Sequence, residues 1–302
     1  MRIAFLNTTA VLALAACGGG TTSSSVQAPG AEAAPATKAL DAGAALLQDR
    51  PPIEAINAYL DGFHFYNGHP AGQMEAHHYC SILNEDVIQC TIYDGNVRDA
   101  KLMGVEYIIS GALFGSLPEP EKKLWHSHVH EVKSGQLVAP GIPAPAEHAL
   151  MEKLVGTYGK TWHTWHTDLD KDLPRGMPQL MMGFTADGQI DQAMLAARDQ
   201  RIGIDSGERR AARADIPSPP IDPGADAWQR GQVIQIEDPA GNRHAQHGAP
   251  SGQPVPQPAG ENATSRHDGP GSLSPAVQHA GAAVVTAPAA MPAGPWPVRH
   301  HR

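Results

Sequence analysis

Between residues 38 and 237 the spacing of apolar positions changes several times, and each change marks an element. Residues 39–48 predict a short helix, closed at Arg50-Pro51-Pro52 because a residue before proline avoids the helical region. Residues 52–60 predict a second short helix with proline at its start. At Phe63-His64-Phe65-Tyr66 the chain becomes extended, and it stops at the turn signal Asn67-Gly68. Residues 74–93 read as two strands about a turn at Asn84-Glu85-Asp86. Folding them about Glu85 puts His78, Cys80 and Ile82 on the face of Ile88, Cys90 and Ile92, an apolar core face. Residues 102–110 are rich in Val, Ile and Tyr with Glu106 as the one charge, which predicts a strand, and a central one.

The stretch from 124 to 135 reads Leu-Trp-His-Ser-His-Val-His-Glu-Val-Lys-Ser-Gly. Taken as a strand, its period of two lines up His126, His128 and His130 on one face and puts Ser127, Val129 and Glu131 on the other. Ser134-Gly135 then turns the chain, and residues 136–139 are expected to pair back as a hairpin before Pro140, Pro143 and Pro145. Leu150, Met151, Leu154 and Val155 have helical spacing. Residues 161–167 alternate, with His163 and Trp165 on one face, and 177–184 form the last strand. Residues 192–199 suit a helix, and 208–213 read as a solvated charged one. Asp226-Ala227-Trp228 and residues 233–236 are expected to pack back on the domain. Many short strands with few long helices predict an α+β domain with a mainly antiparallel sheet. Closure of that sheet around the histidine face would rest on a comparison with cupins alone.

The ends of the chain read differently. Met1 to Ala16 has the form of a signal peptide, and Leu14-Ala15-Ala16-Cys17 resembles a lipobox, in which Cys17 becomes the lipidated residue. Residues 17–37 are expected to be a flexible tether, and residues 238–302, rich in Pro, Gly, Ala and His, a disordered tail. Together these features predict a chain anchored to membrane by its N-terminal lipid in a bacterial cell envelope. By resemblance to lipoprotein sorting, in which Asp after the cysteine retains a protein in the inner membrane, Gly18 implies the outer membrane, facing the periplasm or the surface.

Composition narrows the partners. The net charge of -9 and the lack of a basic stripe exclude nucleic acid. Only 5% of residues are aromatic, and 31 Gly and 27 Pro inflate the chain relative to its core.

The candidate chemistry centres on histidine. His126 and His128, with Glu131 as a third ligand and His78 or His163 from neighbouring strands, are suitable donors for a divalent transition metal. Strict alternation points Glu131 away from the histidines, so a β-bulge would have to re-aim it. The competing reading has these histidines hydrogen-bonding one another, Tyr79 or Glu106. Cys80 and Cys90, opposite each other, fit either a disulfide or two buried thiols. Ser127 lacks the strand-to-helix elbow of a hydrolase nucleophile. Trp125, Trp162 and Trp165 would line an apolar cleft or join the core.

Several ordered motifs carry a resemblance. Glu75-Ala76-His77-His78-Tyr79-Cys80, Leu83-Asn84-Glu85-Asp86-Val87, Gln89-Cys90, Gly104-Val105-Glu106-Tyr107, Lys123-Leu124-Trp125-His126-Ser127-His128, Glu131-Val132-Lys133-Ser134-Gly135 and Tyr158-Gly159-Lys160 resemble the oil body-associated protein family. The similarity runs from about residue 44 to about 236. That family was first catalogued as a domain of unknown function, and its plant members are associated with seed oil bodies and their stability. The resemblance implies a non-enzymatic domain that binds a lipid, a hydrophobic ligand or another surface, and it supplies no catalytic residues. The other reading is a small metal-dependent enzyme with a cupin-like site of His126, His128 and Glu131.

Overall fold

The turn at Glu85 organises the structure. In this computed structural model, which describes residues 20–236, β2 (His69–Ile82) and β3 (Val87–Tyr93) pair antiparallel with His78 opposite Ile92, Cys80 opposite Cys90 and Ile82 opposite Ile88. The two cysteine sulfurs are joined as a disulfide. The signal sequence at 1–16, Cys17 and the tail at 238–302 lie outside the described residues.

On one side β2 pairs with β1 (Ala58–Tyr66), and on the other β3 pairs with β4 (Leu102–Ser110). β6 (Thr157–His163) pairs with β4 along its whole length, while β7 (Gln179–Met182) bridges β6 and β1. The order β4-β3-β2-β1-β7-β6 therefore closes on itself through the β4–β6 pairing, giving a six-stranded antiparallel barrel. Closure leaves no free edge around the ring. A two-residue strand, β5 (His126–Ser127), pairs with β6 at His126–Gly159 and Ser127–Tyr158.

Eight α-helices accompany the barrel among the described residues: α1 (Pro35–Leu47), α2 (Pro51–Glu54), α3 (Gly111–Gly115), α4 (Glu119–Lys122), α5 (Val129–Lys133), α6 (Ala144–Leu154), α7 (Gln192–Ile202) and α8 (Ser206–Ala212). Asp191 caps α7 by accepting from the backbone N–H groups of Ala193 and Met194. Val132 of α5 and Met151 and Leu154 of α6 share one apolar cluster with Leu60, Cys80, Cys90 and Ile108 from the strands. Tyr66, Met74, Ala76, Ile92, Met103 and Met181 form a second. On β1, His64 lies between Leu60 and Tyr66; on β2, His78 lies between Ala76 and Cys80; on β4, Glu106 lies between Met103 and Ile108. A polar belt thus separates two apolar layers.

The structure departs from the sequence expectations at five places. The histidine strand ends after Ser127, whose hydroxyl accepts the Val129 N–H at 3.2 Å and turns the chain into α5. His128 and His130 therefore leave the strand alternation. Residues 136–139 form no hairpin with it; instead Val138 bridges Asp61 of β1, donating to the Asp61 carbonyl at 2.9 Å and accepting at 2.8 Å. The second helix is only the four residues of α2, because Ala58 is already paired with Cys80. Part of the expected tether is held on the barrel: Thr22 N–H donates to Asn96 Oδ1 at 2.7 Å, Ser24 Oγ to Asp94 Oδ2 at 2.7 Å, and Val26 is buried. Side-chain acceptors supply there what low hydrophobicity could not. Finally, the charged stretch around α8 is mostly exposed, yet Arg213 is buried and donates to the carbonyls of Val132 and Leu137 and to Glu147.

Candidate functional site

Glu106 stands at the centre of the belt. Its side chain is 2% exposed and has three imidazoles around it. His78 Nε2 lies 2.9 Å from Oε2, while His128 Nε2 and His126 Nε2 lie 3.3 and 3.4 Å from Oε1. His78 also presents Nδ1 to the Ala76 carbonyl at 3.0 Å, so both of its nitrogens face acceptor oxygens. Glu131 joins from α5. The helical turn, rather than a bulge, re-aims it, placing Oε2 3.9 Å from both His126 Nε2 and His128 Nε2. His64 meets His126 edge-on and places Nδ1 3.4 Å from Nε2 of His163.

Two glycines make the approach possible. Gly159 pairs with His126, and a Cβ there would come within 2.0 Å of Glu106 Oε1 and 2.8 Å of both His126 Nε2 and His128 Nε2. A Cβ at Gly183 would lie 2.8 Å from the Glu131 carboxyl carbon. Behind β5, Asp226 adopts a left-handed φ of 50°, which Asp tolerates better than most residues, and accepts the Ser127 N–H at 3.3 Å. A small cavity beside the cluster is lined by His64, His78, Glu106, His128 and Glu131 together with the apolar side chains of Leu60, Ile108, Leu137 and Leu154.

Burial sets the electrostatics. It would raise the Glu106 carboxyl, but the imidazoles of His126, His128 and His78 outweigh it and hold the group well below the usual carboxylate range. Glu131 goes the other way: burial pushes it well above that range, and the charges of Glu106 and Asp226 add to the shift. Asp226 is raised by burial to about 7. Burial also lowers His64, His126 and, to about 3, His163.

Of the residues singled out in the sequence, the structure brings His126, His128, Glu131 and His78 around one carboxylate and leaves His163 one imidazole away, against His64. His130 points elsewhere, toward Gln136 and Asp187. Trp125 and Trp162 belong to different apolar clusters and share no cleft, and Trp165 donates to the Asp170 carbonyl. Glu106 was offered by the sequence only as one partner of these histidines, and the structure makes it their common one; the places of His64, Gly159 and Gly183 were not assigned from the sequence. Their signals were a lone charge in an apolar strand, a histidine between phenylalanines, and glycines beside or within strands.

Residues 50–217 match a family model described as a protein of unknown function, DUF1264. The chain is 40% identical over 219 residues to oil body-associated protein 1B of Arabidopsis thaliana, covering 72% of this chain and 91% of the relative. Oil body-associated protein 2A of Zea mays is 41% identical over 224 residues, covering 72% and 89%, and protein 1A of Zea mays 40% over 215 residues, covering 70% and 90%. No solved structure matches. These relatives overturn the expected address in a bacterial outer membrane, for all three are plant proteins named for oil bodies. With over half the chain matched by the family model and about nine-tenths of each relative aligned to it, this chain belongs to the DUF1264, oil body-associated protein family.

Proposed function

We propose that this chain is a lipid-associated, non-enzymatic protein that meets a lipid surface through α1. The observation that carries this reading is an amphipathic helix whose apolar face is left uncovered by the described residues. None of its residues is buried, and Leu40, Leu46 and Leu47 are 75%, 84% and 81% exposed. At 100° per residue, Leu40, Ala44 and Leu47 share one face, Asp41 lies at its margin, and Lys38 and Leu46 lie on the far side. The names of the relatives point to the same class of partner.

Burying the two leucines of that face, Leu40 and Leu47, contributes about 4 kcal/mol, enough for reversible binding in the millimolar range. Firm attachment therefore calls for a second contact, and acylation of Cys17 belongs to this proposal as that contact. The mass of the purified chain reads it directly.

The test of α1 is flotation of the full chain with triacylglycerol droplets coated in phosphatidylcholine. The parent is expected in the floating layer and the Leu40→Glu/Leu47→Glu variant in the aqueous phase. A parent that stays aqueous, or a variant that floats equally well, would overturn the reading.

A further inference from the structure

The barrel interior carries a separate message that does not depend on α1. His128 Nδ1 lies 2.8 Å from Thr157 Oγ1, and the Thr157 hydroxyl gives its own proton to the Leu154 carbonyl at 2.6 Å. Thr157 therefore accepts, His128 Nδ1–H donates, and a neutral His128 turns the lone pair of Nε2 toward Glu106 Oε1. Two acceptor atoms thus face each other across 3.3 Å, the arrangement of two ligands toward a shared cation.

His126 sharpens the point. It is fully buried, and neither of its ring nitrogens has a hydrogen-bond partner among the described residues. Native buried polar atoms rarely lack one without a functional reason. Its Nε2 is aimed at the same place, near both Glu106 and Glu131.

Geometry identifies what that place suits. Bonds of 2.0–2.1 Å arranged tetrahedrally separate neighbouring ligand atoms by about 3.3 Å. The separations from Glu106 Oε1 to His128 Nε2 and His126 Nε2, 3.3 and 3.4 Å, match this, and Glu131 Oε2 stands slightly farther out, 3.9 Å from each imidazole nitrogen. Three of the four donors converge where a Cβ on Gly159 would stand, so the glycine keeps clear the volume a metal ion would use.

We propose that the barrel holds one divalent transition-metal ion, bound by His126 Nε2, His128 Nε2, Glu106 Oε1 and Glu131 Oε2. His78 and Thr157 are positioning residues: one holds the second oxygen of Glu106, the other fixes the tautomer of His128. Two nitrogens and two oxygens with no thiolate suit zinc, iron(II) or manganese(II). His64 stands next to the site, with a ligand atom within 4.8 Å of those of Glu106 and His126.

The test uses the full chain without an affinity tag, stripped with a chelator and equilibrated with micromolar zinc. Metal is counted by plasma mass spectrometry after gel filtration. The parent is expected to retain about one equivalent, and His126→Gln and Glu131→Gln to bind at least tenfold more weakly while keeping the parent's circular dichroism. Equal retention by parent and variants would assign the zinc to other histidines and overturn the site, as would a folded parent that retains none. Should the variants fail to fold, the cobalt(II) form of the parent decides. Intense four-coordinate d–d absorption supports the site, and the weak spectrum of a six-coordinate ion contradicts it.

Discussion

Buried carboxylates are satisfied in two ways in this molecule, one outside the barrel beneath helices and one within it. Asp61, fully buried on β1, has its own cation: Arg198 of α7 donates to Oδ1 at 2.7 Å, and the same guanidinium reaches the Gln136 carbonyl, Ser206 and Asp199. His77 and Tyr59 complete the set on Oδ2. Glu147 is treated likewise by Arg213 and Arg209. Around Glu106 and Glu131 the described residues place imidazoles alone, with no lysine or arginine nitrogen within 4.0 Å. Where the protein needs a permanent cation inside, it supplies one from a helix. Where it supplies only histidine, the proposed metal ion would be an exchangeable cation taken from solution.

The largest expected effect breaks the self-sufficient cluster. Arg198→Met leaves Asp61 buried without its guanidinium and should cost about 3–5 kcal/mol in urea unfolding, with or without zinc. A loss below about 1 kcal/mol would mean that Asp61 does not depend on its fixed cation.

Gly159→Ala comes next. Its methyl group would intrude among Glu106, His126 and His128, so we expect a loss of about 1–3 kcal/mol together with loss of zinc retention. Unchanged stability and zinc binding would show that the strands can part at no cost.

Acid should distinguish the clusters as well. The Asp61 carboxyl, which burial alone would raise, is held at about 2 by His77 and Arg198, against 3.8 for the free group. A depressed carboxylate stabilises the fold above its unfolded value and loses that contribution as pH falls through the folded one. Asp61 should thus contribute about 2 kcal/mol at pH 6, lost between about pH 4 and pH 2. Comparing the acid unfolding of the parent with that of Asp61→Asn reads the difference, and coincident profiles would contradict it.

The smallest effects fall on α1. Leu40→Glu and Leu47→Glu should change stability by less than about 0.5 kcal/mol, because neither side chain is buried. A larger loss in thermal unfolding would place α1 against the domain and weaken its assignment to a lipid surface.

What was legible in the sequence followed from local rules. Strict alternation on either side of Asn84-Glu85-Asp86 gave the register that sets Cys80 opposite Cys90, because one face of the hairpin is buried and a one-residue slip would expose it. The candidate site was half legible. His126 and His128 were visible as a pair, but their strand ends where the Ser127 hydroxyl captures a backbone N–H and starts a helix, and periodicity is blind to such a bond. That turn brings Glu131 in and sends His130 out. Arg198 and Arg213 were hidden for another reason: charged residues in helical runs default to the surface, and only the tertiary fold reveals the carboxylates that draw them inward. Closure of the barrel depends on the pairing of β4 with β6, whose ends are about fifty residues apart in the chain, and no local pattern encodes it.

The most direct test of an exchangeable cation is to locate it. Crystals of the full chain equilibrated with one equivalent of zinc, measured at the zinc absorption edge, should show a single anomalous peak beside Gly159, within bonding distance of His126 Nε2, His128 Nε2, Glu106 Oε1 and Glu131 Oε2. A peak at another place in the molecule, or a well-ordered barrel with no peak among those four atoms, would contradict the account.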